Sequence, residues 1–449
     1  MRATIFFVCF LFLTIAASAQ MTTRVVRDSL FIPWELVYGP DDHIWFTQKN
    51  GYICRLEPVS GKIDTLYHET NTVVNNEGGM LGMALHPSFA TAPYVYVAYQ
   101  YNQSGYKERI VRYTYANNAL SNPQILLDNI TGAGIHNGCR LIIVGDKLFI
   151  TTGDAANQST PQNIQSLNGK TLRINLDGSI PSDNPFPNNP VWSWGHRNAQ
   201  GMVYVNGKLY QSEHGPSTDD EINLVMKGRN YGWPNVAGRC NTPPEITFCN
   251  DSNVVEPIIS WTPTIAVSGM DYYNHPMFPG LQNSLLMTTL KDEELYFLKL
   301  NATQDSFKGT GTISGVNFGR LRDICISPTG KIYISTSKSS ASGTGNKVDQ
   351  IIEIYDPSFV NNVQDVSNSE TLTIYPNPSG DFTIIKLPTG LKEEPFEYAI
   401  TDASGREVLK NRARGNNVNI STRHLSTGIY QIRIYMGDGK TFRGKMVKQ

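Results

Sequence analysis

Short apolar and polar runs alternate along the chain between residue 33 and about residue 355. An apolar strand, a turn rich in Gly, Pro, Asp or Asn, and a second strand rich in β-branched and aromatic residues recur, as in ELVYGPDDHIWFT (Glu35–Thr47) and RLIIVGDKLFITT (Arg140–Thr152). Each copy is followed by a more polar strand, such as GYICRLE or DQIIEIY. The turn residues are those that tight hairpins need, and no segment keeps a helical period. The pattern therefore predicts an all-β fold.

The repeat has a period of roughly fifty residues, which is typical of propellers built from four-stranded blades. Six copies are present, so residues 20–355 are predicted to form a six-bladed β-propeller. A jelly roll or a stack of separate sandwiches is the competing interpretation, and neither accounts for the repeat. Long loops between the strands, such as Gly153–Lys170 and Lys227–Pro263, are where such a fold places ligands.

The character of the chain changes after Tyr355. Residues 356–370 are polar and rich in Ser and Asn, as expected of a linker. Alternating strands with tight Asn-Pro, Ser-Gly and Asp-Gly turns follow, so residues 371–449 are predicted to form a small C-terminal β-sandwich. Its turns hold no concentration of acids, histidines or thiols, and no chemistry is assigned to it.

Composition predicts a globular protein, and the N-terminus predicts that it is secreted. With 40% hydrophobic and 17% charged residues it is typical of a globular protein, and a net charge of -1 argues against a nucleic-acid binder. Arg2 precedes an apolar run, Ile5–Ala17, that ends in the small-residue site Ala17-Ser18-Ala19. Residues 1–19 are therefore predicted to be a signal peptide, and no segment is long enough for a transmembrane anchor.

Five cysteines remain after the predicted removal of the signal peptide with Cys9. Cys240 and Cys249 bracket one short loop and are the natural disulfide pair in an oxidising compartment. The other three lie in separate strands, where buried thiols are favoured over a disulfide or a reactive role: Cys54, Cys139 and Cys325.

The stretch SEHGPSTDDEINLVMKGRNYGWPNVAG (Ser212–Gly238) carries the first candidate chemistry. The Gly215-Pro216 turn leaves main-chain carbonyls unpaired next to the acidic run from Asp219 to Glu221. Calcium takes carbonyl and carboxylate oxygens as ligands, so the stretch is a candidate calcium site. A solvated acidic loop between two strands is the alternative.

Other loops add a base and several cations. His136 lies in GAGIHNGCRL, where it is either a general base or a structural histidine. Arg197 in WSWGHRNAQGM either grips a carboxylate or holds the loop together. Arg320 and Arg322 are separated only by Leu321, with no acid between them, and Lys291 lies in an earlier loop. These cations either bind an anion or form salt bridges with neighbouring loops. Together the groups suit a small polyanionic cofactor beside a metal.

These motifs, in this order, resemble the soluble pyrroloquinoline-quinone-dependent aldose dehydrogenases, the glucose/sorbosone dehydrogenase family of six-bladed propellers. The similar segments cover residues 33 to about 355 and include EGGMLGMALHP, GDKLFITTGD, SLNGKTLRINLDGSIPSDNPF, GHRNAQGM, the Ser212–Gly238 stretch and GRLRD. The resemblance implies that pyrroloquinoline quinone (PQQ) and Ca2+ are cofactors and that the substrate is an aldose sugar, oxidised at C1 to the lactone.

Residue roles follow from the same resemblance. His136 matches the general base, and the carbonyls of Gly215 and Pro216 match ligands of the catalytic calcium. A second, structural calcium is implied at Glu221 and the carbonyls of Tyr231 and Ala237. The implied cofactor contacts are Glu77, Gln158, Arg197, Asn198, Gln200, Trp261, Thr264, Lys291, Arg320 and Arg322. The chain departs from the family pattern at Ile135, Cys139, Asn241 and Ile258. These departures bear on the identity of the sugar substrate more than on the identity of the cofactor.

The C-terminal module resembles the type IX secretion sorting domain through its YPNPSGDFTI start and its STGIYQIRI strand. The resemblance implies export through the periplasm to the cell surface or medium, with the secretion machinery as partner; an accessory carbohydrate-binding sandwich is the alternative. For the whole chain we expect a secreted sugar dehydrogenase that passes electrons to an acceptor the sequence does not identify. The alternatives are a non-catalytic propeller that binds glycans or proteins and, less favoured, a calcium-dependent lyase or lactonase.

Overall fold

The computed structural model describes residues 20–338, 348–359, 370–387, 395–402, 407–436 and 441–449. The predicted signal peptide and most of the predicted linker lie outside these residues. The chain divides into two compact units, residues 1–359 and 360–449. No described helix has the length and apolar composition needed to span a bilayer.

The first unit is built from 24 strands and one α-helix within the described residues. Its first half contains β1 (Thr22–Leu30), β2 (Pro33–Tyr38), β3 (Ile44–Gln48), β4 (Tyr52–Leu56), β5 (Ile63–His68), β6 (Met80–Leu85), β7 (Tyr94–Asn102), β8 (Tyr106–Ala116), β9 (Ala119–Thr131), β10 (Gly138–Val144), β11 (Lys147–Thr152) and β12 (Lys170–Asn175). Its second half contains β13 (Val191–Trp194), β14 (Ala199–Val205), β15 (Lys208–Glu213), β16 (Asp220–Val225), α1 (Pro243–Ser252), β17 (Ile259–Trp261), β18 (Val267–Tyr273), β19 (Ser284–Thr289), β20 (Leu295–Leu300), β21 (Phe307–Thr312), β22 (Leu321–Ile326), β23 (Ile332–Thr336) and β24 (Asp349–Tyr355).

These strands form six four-stranded antiparallel sheets. Five sheets take four consecutive strands, from β2–β5 to β18–β21, and the sixth joins β22–β24 to β1 at its outer edge. Tight turns make the hairpins; between β14 and β15, Asn206 and Gly207 both have positive φ, as a type I′ turn requires. Apolar side chains pack between sheets, so that all six residues of β19 are buried. The all-β prediction is confirmed.

The first strands of the sheets contact one another in chain order, and β22 contacts β2. Hydrogen bonds join the sixth sheet to the first: Leu36 N donates to Asp323 Oδ2 at 2.6 Å, and Ser335 Oγ donates to Pro33 O at 2.8 Å. This is the arrangement that the six-copy repeat predicts for blades around a common axis.

A buried ion cluster connects three of these first strands. Arg140 of β10 lies 2.5 Å from Glu35 of β2 and 2.9 Å from Asp323 of β22, and its Nε donates to Gln200 O at 2.8 Å. All three charged side chains are less than a tenth exposed. Burial raises the pKa of Glu35 and of Asp323, while the charge of Arg140 opposes that rise. The cluster therefore ties non-neighbouring sheets together.

Within the described part of the first unit, the one α-helix lies in the loop closed by Cys240 and Cys249. That disulfide is present as predicted, with Cα atoms 6.5 Å apart, and α1 lies within the loop. The helix begins after Thr242, whose backbone N and Oγ1 both donate to Glu245 Oε2, at 2.9 and 2.7 Å. Cys54, Cys139 and Cys325 are buried thiols, as expected.

The second unit contains β25 (Glu370–Thr371), β26 (Thr373–Tyr375), β27 (Phe382–Lys386), β28 (Phe396–Asp402), β29 (Glu407–Ala413), β30 (Asn417–Ser421), β31 (Gly428–Met436) and β32 (Thr441–Lys448). One sheet has the order β25-β32-β31-β28-β29 and the other β26-β27-β30. Side chains of both sheets, including Ile385, Ile420 and Ile432, share one core. Two sheets over a common core fit the predicted β-sandwich.

Candidate active site

A cavity of about 280 Å³ lies where all six sheets of the first unit present the same edge. The first strand of each sheet begins there, and in an antiparallel hairpin the second strand ends at that edge. The lining residues are Ile32, Trp34, Lys49, Asn76, Glu77, Leu81, Asn137, Gly138, Gln200, His214, Ala266, Leu290, Arg320, Arg322 and Ser337. The fold thus gathers residues as far apart in the sequence as Ile32 and Ser337 into one site.

Positive charge dominates this lining. Arg322 NH1 donates to Gln200 Oε1 at 2.9 Å, while its buried Nε has no hydrogen-bond partner among the described residues. Burial and the nearby charge of Arg320 lower the pKa of Arg322 to about 10, and the carboxylate of Glu77 only partly opposes them. An anion placed in the cavity would relieve this excess of positive charge.

Lys49 is a cavity residue that the sequence reasoning missed. It directly follows β3, and its ammonium donates a hydrogen bond to Asn76 O. Burial, together with the charge of Arg322, lowers the pKa of Lys49 to about 7 against the opposing effect of Glu77. The sequence signal that could have identified Lys49 is its position directly after the second strand of the first repeat. The other site residues lie at the same edge of their sheets.

His136 is held from both its backbone and its ring. Its backbone N donates to Glu77 Oε2 at 2.8 Å, and its Nδ1 lies 2.7 Å from Asp154 Oδ1. His136 has a positive φ of 59°. Gly153 packs so closely against the His136 backbone that a Cβ on Gly153 would lie 1.8 Å from His136 O. The next two residues, Asn137 and Gly138, line the cavity.

Asp154 orients the imidazole, and the sequence reasoning did not identify it. Trp233 Nε1 donates to Asp154 Oδ2 and Ala156 N donates to Oδ1, both at 2.8 Å. Burial alone would raise the pKa of Asp154, but the hydrogen bond and charge of His136 hold it below its ordinary value. In the neutral form of the ring, an ionised Asp154 holds the proton on Nδ1, so that Nε2 carries the lone pair; no described residue hydrogen-bonds to Nε2.

Three of the predicted cofactor contacts form one network beside His136. Asn198 Oδ1 accepts from Gly138 N at 3.2 Å and from Gln200 Nε2 at 3.0 Å. Asn198 Nδ2 lies 3.4 Å from Glu77 Oε2, the same oxygen that accepts from the His136 backbone. Within this network, Glu77 and Asn198 position the histidine loop.

The predicted metal residues lie around a second, much smaller cavity of about 10 Å³. Its lining includes all five of them: Gly215, Pro216, Glu221, Tyr231 and Ala237. The turn is held by a hydrogen bond of 2.9 Å from Gly215 N to Asp220 Oδ1, and a Cβ at Gly215 would lie 1.9 Å from Thr218 O. Among the described residues, neither the Gly215 nor the Pro216 carbonyl oxygen accepts a hydrogen bond.

Acidic groups surround that small cavity. Burial and the charge of Glu213 raise the pKa of Glu221 to about 8, although Gly238 N donates to its Oε1 at 2.7 Å. The described residues contain no group of three or more His, Cys, Asp or Glu side chains placed to hold a metal. A cation here would therefore depend mainly on carbonyl oxygens, which suits a hard ion such as calcium.

Other predicted contacts lie outside the lining of the larger cavity. Lys291 is exposed, and its Nζ donates to Thr264 Oγ1 at 3.2 Å. Gln158 is exposed, and Trp261 pairs with Asp220 across β16 and β17.

Arg197 lines the smaller cavity, where it donates to His214 O at 3.1 Å and lies 5.3 Å from the Trp233 ring. Burial lowers the pKa of Arg197, and the nearby carboxylates, Asp154 first among them, oppose that shift.

Comparison with known protein families gives two matches along the chain. Residues 30–344 match the glucose/sorbosone dehydrogenase family, and residues 373–449 match the secretion system C-terminal sorting domain.

Two curated relatives cover most of the first unit. Quinoprotein glucose dehydrogenase B of Acinetobacter calcoaceticus is 32% identical over an alignment of 413 positions that covers 72% of this chain and 86% of the relative. The aldose sugar dehydrogenase YliI of Escherichia coli is 32% identical over an alignment of 347 positions that covers 72% of this chain and 92% of the relative.

Solved structures give the same picture. The PQQ-bound aldose sugar dehydrogenase of Streptomyces coelicolor superposes with a TM-score of 0.64 at 29% identity, covering 76% of this chain and 99% of that one. The apo form of the E. coli soluble aldose sugar dehydrogenase has a TM-score of 0.66 at 27% identity, covering 75% of this chain and all of that one (100%).

Proposed function

This chain belongs to the glucose/sorbosone dehydrogenase family and is a PQQ-dependent sugar oxidoreductase, and from that premise we propose that it oxidises an aldose at C1 to the lactone. The observation that carries the proposal is the pairing of a cation-lined cavity with the His136–Asp154 dyad at its edge. A dyad of this kind supplies a general base, and the cavity supplies a place for an anionic cofactor.

The fold would be a closed six-bladed propeller followed by a β-sandwich. Hydrogen bonds between the first and sixth sheets and the pairing of β1 with β24 support closure, because the two ends of the unit then share one sheet. Domain boundaries at residues 355–356 and 370–371 remain those predicted from the sequence.

The described residues fit a tricarboxylate such as PQQ. Three cationic side chains line the cavity, those of Arg320, Arg322 and Lys49, and Glu77 is the only acid among the described lining residues. The buried Nε of Arg322 has no hydrogen-bond acceptor among the described residues. The chemistry that PQQ would supply here is that of a hydride acceptor for C1 of the sugar. The protein's part is to bind and orient the carboxylates with charge-assisted hydrogen bonds and to exclude water around the reacting carbon.

His136 would take the proton of the C1 hydroxyl at Nε2. Asp154 holds the other ring nitrogen and stabilises the imidazolium that results, while Glu77 fixes the backbone of the loop. Of the remaining predicted contacts, Asn198 and Gln200 would orient the cofactor through the network they form with Arg322. Gln158, Lys291, Thr264 and Trp261 would need a bound ligand or loop movement to take part.

Calcium would be held by the Gly215 and Pro216 carbonyls, where it would act as a Lewis acid. A second, structural ion at Glu221 and the carbonyls of Tyr231 and Ala237 would lower the raised pKa of that carboxyl. Because all five residues line one small cavity, the two ions would be close neighbours or one ion would serve both roles.

The sorting domain implies export by the type IX system. We propose passage through the periplasm and a final position at the cell surface or in the medium, where an electron acceptor would reoxidise the cofactor. Removal of the signal peptide, residues 1–19, would precede this step.

The site of oxidation can be tested with a blocked sugar. After reconstitution with PQQ and calcium, we expect dye reduction with a panel of free aldoses and none with their 1-O-methyl glycosides, since these lack the C1 hydroxyl proton that His136 would remove. Lactone should be the first product by mass spectrometry. Equal turnover of an aldose and its methyl glycoside would place the oxidation at another carbon and contradict the proposal.

A further inference from the structure

Lys49 is fixed in the cavity wall by its backbone. Its N donates to Ile32 O at 3.1 Å, and its O accepts from Met80 N at 2.9 Å, so the residue bridges the starts of β2 and β6. The alkyl chain runs over Gly79, where a Cβ would lie 2.6 Å from Lys49 Cγ. The residue is only 3% exposed. A lysine so placed has little freedom to move its ammonium away from the cavity.

Several charged and titratable groups line the same cavity as Lys49 and come from the elements around it. Arg322 and Arg320 come from β22 and the residue before it, Glu77 from the loop before β6, and His214 from the turn after β15. The charge of Arg322 and burial disfavour a charged lysine, while Glu77 favours it, and the balance brings the pKa of Lys49 to about 7. Its protonation therefore responds to any charge that enters the cavity near neutral pH.

We propose that Lys49 is a cofactor ligand that binds a carboxylate of PQQ and becomes fully protonated as the cofactor enters. This inference rests on the proposed function, and it adds a residue that neither the sequence motifs nor the family resemblance assigned. Lys49 lines the same cavity as Arg320 and Arg322, and its ammonium donates to the carbonyl of another lining residue, Asn76.

Charge balance favours Lys49 for this role. A tricarboxylate carries three negative charges, and the described cavity lining contains three Lys or Arg side chains that can balance them: Lys49, Arg320 and Arg322. Lys291, the lysine that the resemblance assigned, is exposed and donates to Thr264 instead. Entry of three negative charges would raise the pKa of Lys49 toward that of an ordinary lysine, and a proton would be drawn from solution.

The test is a calorimetric titration of the calcium-loaded apo-protein with PQQ in two buffers of different ionisation enthalpy. At about pH 8 we expect the unmodified protein to take up about one proton per cofactor bound. Lys49→Met should bind PQQ at least about tenfold more weakly and lose the proton uptake, because it lacks the charged hydrogen bond. Lys49→Arg should keep affinity within a few-fold yet lose the uptake, since arginine stays charged.

Lys62→Met is the matched control, because the Lys62 side chain is 73% exposed and is not part of the cavity lining. It should leave affinity and proton uptake unchanged. A Lys49→Arg protein that still takes up the proton, or a Lys49→Met protein with unchanged affinity and uptake, would overturn the inference while leaving the proposed function intact. Failure of the unmodified protein to bind PQQ would overturn both. Because Lys49→Arg keeps the charge, it serves even if Lys49→Met does not fold.

Discussion

Replacing His136 with alanine is expected to lower kcat for aldose oxidation about a hundredfold or more while leaving the affinity for PQQ within a few-fold. The variant removes the imidazole that would accept the C1 hydroxyl proton, but it keeps the backbone N that donates to Glu77. Binding would be followed by titration of the cofactor absorbance, and turnover by dye reduction under saturating sugar.

Asp154→Asn tests whether turnover needs the imidazole of His136 to carry its proton on Nδ1, in addition to needing the imidazole itself. An amide at this position would donate to His136 Nδ1, so the proton would sit on Nε2 and the base would be lost although the ring remains in place. We therefore expect Asp154→Asn to lower kcat nearly as far as His136→Ala, with KM and PQQ affinity little changed. Full turnover in either variant would contradict the assignment of the base.

Replacing Arg140 with methionine is expected to destabilise the first unit by about 3–5 kcal/mol, because Glu35 and Asp323 would stay buried without a counter-charge. Urea unfolding followed by tryptophan fluorescence measures the loss. Burial already raises the pKa of both acids, and removal of Arg140 would raise them further. The folded state would then hold protons that the unfolded state releases, so the loss should shrink as pH falls toward the acids' unfolded values.

Arg239→Met is the control for this stability measurement. Arg239 pairs with Glu256 at 3.3 Å, but both side chains are about half exposed, at 55% and 41%. Exposed pairs contribute little, so the expected loss is less than about 1 kcal/mol and nearly independent of pH. Equal losses in the two variants would mean that the buried cluster does not connect the sheets as described.

Local pattern was sufficient to predict strands and six sheets, because hairpin turns and strand composition act over a few residues. It could not assign β1 to the outer edge of the sixth sheet. Thr22 pairs with Tyr355, and nothing in either segment alone specifies a partner that distant. Helix α1 was not predicted, for a different reason. It buries none of its residues, so its sequence has no apolar face that a helical periodicity could reveal.

The site divides in the same way. His136, Arg322 and Glu77 were found because they belong to motifs; the fold places Arg322 and Glu77 in one cavity lining, and the His136 backbone donates to Glu77. Asp154 and Lys49 follow the second strands of their repeats and gain a role only when packing places them beside residues from other sheets. The sequence feature that could have identified Asp154 and Lys49 is their position within the repeat, since no motif assigned a role to either.

The most direct test of the central claim is a titration of the purified apo-protein with PQQ, with and without calcium, followed by bleaching of the bound quinone with aldoses. The account predicts tight binding that requires calcium, and bleaching by at least one free aldose. Binding without bleaching by any sugar would remove the proposed substrate class. No binding in the presence of calcium would contradict the account, and a propeller that only binds glycans or proteins would then be the better description.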